Sequence, residues 1–256
     1  MKKLLGLVVG LAMVVWASTP VLATNVKCGT ACSATITIGE QTTNVPITVN
    51  TDTGLGTVSN FTATGPGGST ATIQSLTLNP DPAILFAVGV VNATSGPLAF
   101  SFAFNTPIAL NGPIHAASSI GYTLTDGFLA TAGGAAGVTL APFSGPNVLV
   151  ANDFNAALAQ TNKGVDVGPL ASGGSGTCGA FVGFTSNCGP YAATNNFSGG
   201  PFVLMAATVS FVLTAQDAAG LSGAVSQVST PEPATLLLMG SGLLGLAGWR
   251  RYSARG

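Results

Sequence analysis

LAFSFAFN, residues 98–105, sets the character of the chain: Leu98, Phe100, Phe102 and Phe104 alternate with Ala99, Ser101 and Ala103. A period of two with bulky apolar groups on one side only is the pattern of a strand with one buried face. Just upstream, residues 83–92 form an almost unbroken apolar run of strand length. Before it, residues 73–78 read as a strand stopped by Asn79-Pro80-Asp81-Pro82, where each proline removes a backbone donor and biases its predecessor to extended geometry. Farther back, residues 35–38 and 45–49 alternate β-branched side chains, with Pro46 marking the second as an edge. Residues 59–72, around Gly65-Pro66-Gly67-Gly68, read as a loop.

Downstream, residues 121–129 place Asp126-Gly127 between two alternating arms, a hairpin signal. Residues 148–150 predict a short strand, and residues 152–160 a two-turn helix capped by Asp153. Residues 164–200 read as loop broken by a strand at 180–184. Residues 201–214 form a long apolar strand, 216–220 a turn, and 221–230 a Ser/Gly/Val linker. Many short strands with frequent turn signals predict an all-β fold, an antiparallel β-sandwich of jelly-roll-like type over residues 24–220.

Both ends of the chain read as addresses. Lys2 and Lys3 precede an apolar run over 4–16, and Val21-Leu22-Ala23 fits the small-x-small rule for signal peptidase, so residues 1–23 read as a signal peptide cleaved after Ala23. Residues 231–256 comprise Pro231-Glu232-Pro233, an apolar run over 234–249, and then Arg250, Arg251 and Arg255. As a helix this run spans about 24 Å, against a hydrocarbon core of roughly 30 Å. Six leucines favour insertion, whereas Gly240, Gly242, Gly245 and Gly248 weaken the helix, so the span is a short membrane anchor. The arginines act as a cytoplasmic stop, leaving Glu232 and everything before it outside.

The order of a Pro-Glu-Pro signature, a Leu/Gly-rich span and an arginine-rich end resembles the PEP-CTERM sorting signal of Gram-negative bacteria. That resemblance implies export, transient membrane insertion through the tail, and processing near Pro231, Glu232 and Pro233 by a membrane-embedded exosortase-type enzyme. It also brings in exopolysaccharide as a partner, since such bacteria often build a polysaccharide matrix.

Charge narrows the function further. Between the two addresses only Lys27 and Lys163 stand against Glu40, Asp52, Asp81, Asp126, Asp153, Asp166 and Asp217, a net of −5. Nucleic-acid binding needs clustered bases, and this body has none to cluster. Two Gly-x-Gly-x-x-Gly matches, at 174–179 and 240–245, lack the strand, helix and acidic residue of a dinucleotide site. The lone histidine, His115, placed by its neighbours in a turn, has no Gly-x-Ser-x-Gly nucleophile to serve. The acids show neither a glycosidase pair nor a calcium-loop spacing, although a calcium site built from separate loops stays open. No cofactor or metal site is predicted.

Export directs the four cysteines to disulfides rather than zinc, and proximity in sequence pairs Cys28 with Cys32 and Cys178 with Cys188; cross-pairing of the two sets is the alternative. Asn60, Asn92 and Asn196 open N-x-Ser/Thr triplets, read as coincidental in a bacterium. The expectation is a non-enzymatic structural or adhesive protein of the cell surface or matrix. A carbohydrate-binding module using exposed Tyr122, Tyr191 and Phe197 is the alternative, with a secreted hydrolase third.

Overall fold

The computed structural model describes residues 26–127, 137–168, the backbone of 178–179, 185–230 and 240–242. The signal peptide with Ala23, the motif Pro231-Glu232-Pro233, the arginines 250, 251 and 255, the expected strand at 180–184 and the second arm of the expected hairpin lie outside these residues. Residues 240–242 are helical. Among the described residues no helix is long and apolar enough to cross a membrane.

The described chain is all-β. Its strands are β1 (Ser33–Ile38), β2 (Gln41–Asn44), β3 (Thr48–Val49), β4 (Gly56–Thr64), β5 (Thr70–Asn79), β6 (Ala83–Val91), β7 (Leu98–Thr125), β8 (Thr139–Pro142), β9 (Leu149–Asn155), β10 (Gln160–Asn162), β11 (Cys178–Gly179), β12 (Thr185–Leu213) and β13 (Ala218–Ser229). Every pairing is antiparallel. The main path runs β10-β9-β12-β7-β13-β6-β5-β4-β3, with β1 on β7, β2 on β1, β8 on β12 and β11 on β8.

β7 and β12 organise this sheet. They have 28 and 29 residues, several times the usual strand, and pair with each other along nearly their whole length. Their register slips between Gly199 and Phe202, where Gly112 (φ 82°) pairs with Gly199 beside Gly200 (φ 108°). There β7 also changes its other neighbour: residues 100–105 pair with β1, whereas 114–125 pair with β13.

The alternation at 98–105 puts Phe100, Phe102 and Phe104 wholly out of solvent. Phe211 of β12 stacks on Phe100 with ring centroids 5.8 Å apart. Ile73, Leu76 and Leu78 of β5, Ile84 and Phe86 of β6, and Leu221 and Val225 of β13 complete the other side of the same core.

Several expectations are corrected here. Residues 221–230 are no linker. They lie almost wholly in β13, hydrogen-bonded to β6 on one side and β7 on the other, so the β-domain continues past residue 220. The helix expected at 152–160 is instead the end of β9 and a turn in which Asn155 Oδ1 accepts from the amides of Ala157 and Ala159. Most of the loop expected at 185–200 is the outer half of β12, and most of that expected at 59–72 is β4 and β5, joined by a 3-10 turn over Pro66–Gly68. His115 stands within β7, not in a turn. The first arm of the expected Asp126-Gly127 hairpin is the end of β7, where Thr125 pairs with Thr185 and Ala218.

Candidate functional site

The outer side of β5, β6, β13, β7 and β12 carries two adjoining concavities of about 570 and 410 Å3. Ser75, Thr77, Ser119, Gly121, Ser222 and Gly223 line the larger with Leu85, Phe86, Ile120 and Pro190. Gln74, Thr123 and Asn187 add amides and a hydroxyl to the smaller, and Gly121, Pro190 and Ser222 belong to both. Phe86, Ile120 and Tyr122 are core residues that form the floor, and outward-facing short side chains such as Ser75, Ser119, Thr123 and Ser222 stand around them. Neither lining contains a charged residue. Hydroxyl and amide groups on a sheet can exchange hydrogen bonds with a neutral polar ligand.

The three aromatics expected on a loop face are not there. Tyr122 is buried in β7, packed edge-on against Tyr191 of β12 at 5.7 Å, and burial drives its hydroxyl far above the ordinary range. Phe197 is half-buried against Phe202, 6.0 Å away. Rings on strands that pair with core strands turn inward, so these three do not form an exposed platform.

His115 Nδ1 donates to Asn196 Oδ1 at 2.8 Å across β7 and β12, on the exposed side. That pair is a cross-strand contact with no nucleophile in it. Among the described residues no group of three His, Cys, Asp or Glu comes together to hold a metal ion. Asn92, which opens an N-x-Thr triplet, is fully buried, and its Nδ2 donates to the carbonyls of Gly96, Leu213 and Thr214. No sugar can be attached there without dismantling that contact. Beside it Thr214 Oγ1 donates to Asp217, whose carboxyl is raised chiefly by burial.

The sequence reading overlooked a buried polar cluster. Asp153 of β9 and Lys163, just beyond β10, are both 0% exposed, with Lys163 Nζ 3.5 Å from Asp153 Oδ1. Gln227 of β13 donates its Nε2 to both carboxyl oxygens at 2.8 Å. Burial pushes Asp153 up and Lys163 down to about 8, each toward its neutral form. The signal available in sequence was scarcity: Lys163 is one of two bases between the targeting ends.

Of the expected site residues, Cys28 and Cys32 are brought together as a disulfide, with Cα atoms 4.9 Å apart. Closing so short a loop is worth about 2 kcal/mol. Cys188 is also disulfide-bonded, and the side chain of Cys178, its expected partner, lies outside the described residues.

The last strand, β13, ends at Ser229, and only Thr230 separates it from Pro231. A family profile of the PEP-CTERM protein-sorting motif matches residues 229–251. The chain carries a PEP-CTERM sorting motif. It is thus an exported protein, anchored in the membrane in transit and processed by exosortase, a membrane enzyme. The match begins on Ser229, the last residue of β13, so the sorting motif follows the sheet without a spacer.

No curated protein matches the chain. Among solved structures, the adhesin domain of Epf from Streptococcus pyogenes aligns at 11% identity over 78% of this chain and 60% of that one, with a TM-score of 0.35. The enzymatically active domain of bacteriophage CBA120 tailspike protein 4 aligns at 11% identity over 75% of this chain and 19% of that one, with a TM-score of 0.24. A chain of infectious bursal disease virus Gx strain aligns at 8% identity over 78% and 56%, with a TM-score of 0.29. The chain thus spans less than two thirds of each, and likeness at this level says nothing of its activity.

Proposed function

We propose that the exported domain is a non-enzymatic structural or adhesive component of the cell surface or exopolysaccharide matrix, built as a two-layered β-sandwich that doubles over at Gly112 and Gly199. The observation that carries this reading is the PEP-CTERM motif joined directly to a sheet whose outer concave face is uncharged and lined by short hydroxyl side chains. A face of that kind suits broad contact with hydrated neutral polymer, and the net charge of −5 between the targeting ends keeps copies apart in solution. The test is localisation of the tagged protein in a strain whose polysaccharide can be switched off, with and without residues 231–256. Retention at the surface that depends on both the polysaccharide and the tail supports the reading; release into the medium regardless of polysaccharide contradicts the matrix role.

A second reading, a secreted carbohydrate-binding module, is favoured by one feature: the smaller concavity brings Gln74, Thr123, Asn187 and Ser222 around about 410 Å3, a size and chemistry suited to a sugar unit. Loss of polysaccharide binding in Ser222→Phe, with the fold intact, supports it. Unchanged binding removes it.

A further inference from the structure

A fully buried lysine is an uncommon residue, and Lys163 is buried without hydrogen-bond partners. Its Nζ has none among the described residues, and the nearest carboxyl oxygen stands at 3.5 Å, beyond normal hydrogen-bond length. An ammonium carries three donors, and a dry core that leaves all of them unmet disfavours it even beside a carboxylate. The aspartate, by contrast, is well held: Gln227 Nε2 lies 2.8 Å from each of its oxygens, reaching across from β13. Asp153 and Lys163 are also closely confined. Asp153 pairs with Met205 and Thr161 in the sheet, and the amide of Lys163 is bonded to Ala151 O while its carbonyl accepts from Asn195 Nδ2.

We propose that Lys163 and Asp153 condense spontaneously into an intramolecular isopeptide bond that staples the β9–β10 hairpin inside the core. The Nζ lone pair of the neutral amine attacks Cγ of the protonated carboxyl, forming the N–C bond; one carboxyl oxygen leaves as water, taking the acid proton and one amine proton. Nothing is oxidised or reduced and no co-reactant is needed. Burial supplies the two neutral forms that the step requires, since it lowers Lys163 and raises Asp153. Gln227 is the positioning residue. Its Nε2 protons face both oxygens, stabilise the oxyanion that develops on attack, and keep hold of the oxygen that remains in the amide. The product removes the unmet ammonium altogether, replacing two buried ionisable groups with one neutral amide.

The sparse basic residues make the test sharp. Between Lys27 and Arg250 the only trypsin site is Lys163, and an acylated Nζ is not cut. The exported protein is denatured, reduced, alkylated and digested. The proposal expects no cleavage after Lys163 and a peptide beginning at Cys28 that is lighter by one water than its sequence. Asp153→Asn is expected to give the same uncut peptide lighter by one ammonia relative to its own sequence, because the amide nitrogen then leaves. In Gln227→Ala, both reactants remain and a cut, full-mass fraction appears. Cleavage after Lys163 with full-mass peptides from the wild-type protein overturns the proposal, whatever the variants do.

Discussion

Phe86 on β6 and Phe104 on β7 meet with ring centroids 5.5 Å apart, although their strands are not neighbours in that part of the sheet. β6 is joined to β7 through β13, which pairs with residues 114–125; Phe104 lies before Gly112, where β7 pairs with β1. This ring contact therefore joins the two halves of β7. Truncating Phe104 opens a cavity at that junction, and Phe104→Ala is expected to lose about 3–5 kcal/mol. Urea unfolding followed by tryptophan-independent far-UV circular dichroism reads it; a loss below 1 kcal/mol would show that the halves do not share one core.

β13 gives the second prediction. A Cβ placed on Gly223 would stand 2.5 Å from the Phe86 ring and 2.6 Å from the Ser119 carbonyl oxygen. The ring can turn, but the backbone oxygen cannot, so Gly223→Ala is expected to destabilise the domain by about 1–3 kcal/mol. A chain of residues 24–230 is expected to unfold cooperatively, and one of residues 24–220 to show no cooperative transition, because it lacks most of the strand between β6 and β7. Equal melting curves for the two would restore the linker reading.

Stability against pH reports on Lys163 independently of mass. If the side chain stays a free amine, its folded value of about 8 lies below the ordinary 10.5, so above pH 8 the unfolded chain binds more protons and stability rises with pH. Asp153 and Asp166, the charges that face it, both oppose the shift without cancelling it. Tyr122 acts in the other sense, but only near and above its ordinary value of 10.0. An isopeptide leaves no proton to release. The urea midpoint is therefore expected to show no rise between pH 8 and pH 10, and a clear rise across that window would speak for a free lysine.

The His115 side chain bonds Asn196 on an exposed side of the sheet. His115→Ala is expected to cost less than about 1 kcal/mol and to leave surface localisation unchanged. Loss of the protein's biological role in a folded, exported His115→Ala chain would mean that a catalytic or ligand site includes this residue.

How much of this could be read from residues alone depended on burial. The phenylalanines at 100, 102 and 104 announce their strand because one face is wholly buried. The outer half of β12 does not, since residues 185–199 include only half-buried and exposed positions and carry Thr, Asn, Ser and Gly where a core strand would carry bulky groups. β13 resembles a linker because Gly220, Ser222, Gly223 and Ser226 are small. At Gly223 that smallness makes room for Phe86 and lets the strand approach β7 closely. In sequence Asp153 reads as the cap of a short helix over 152–160. Its partners are Lys163, ten positions on, and Gln227, seventy-four positions on, a juxtaposition that only the sheet creates. The sorting motif over 229–251 was legible because its recognition is linear: three residues, an apolar run and a basic end.

The tail also offers the most direct measurement. A 16-residue apolar run broken by glycines is short for a permanent anchor, and the motif matched over 229–251 implies processing by a membrane enzyme. The intact mass of the wild-type surface product decides the matter. The account predicts a molecule lacking residues 234–256, and a longer, membrane-bound form when Pro231-Glu232-Pro233 is replaced by three alanines; a wild-type surface product ending at Gly256 would contradict it.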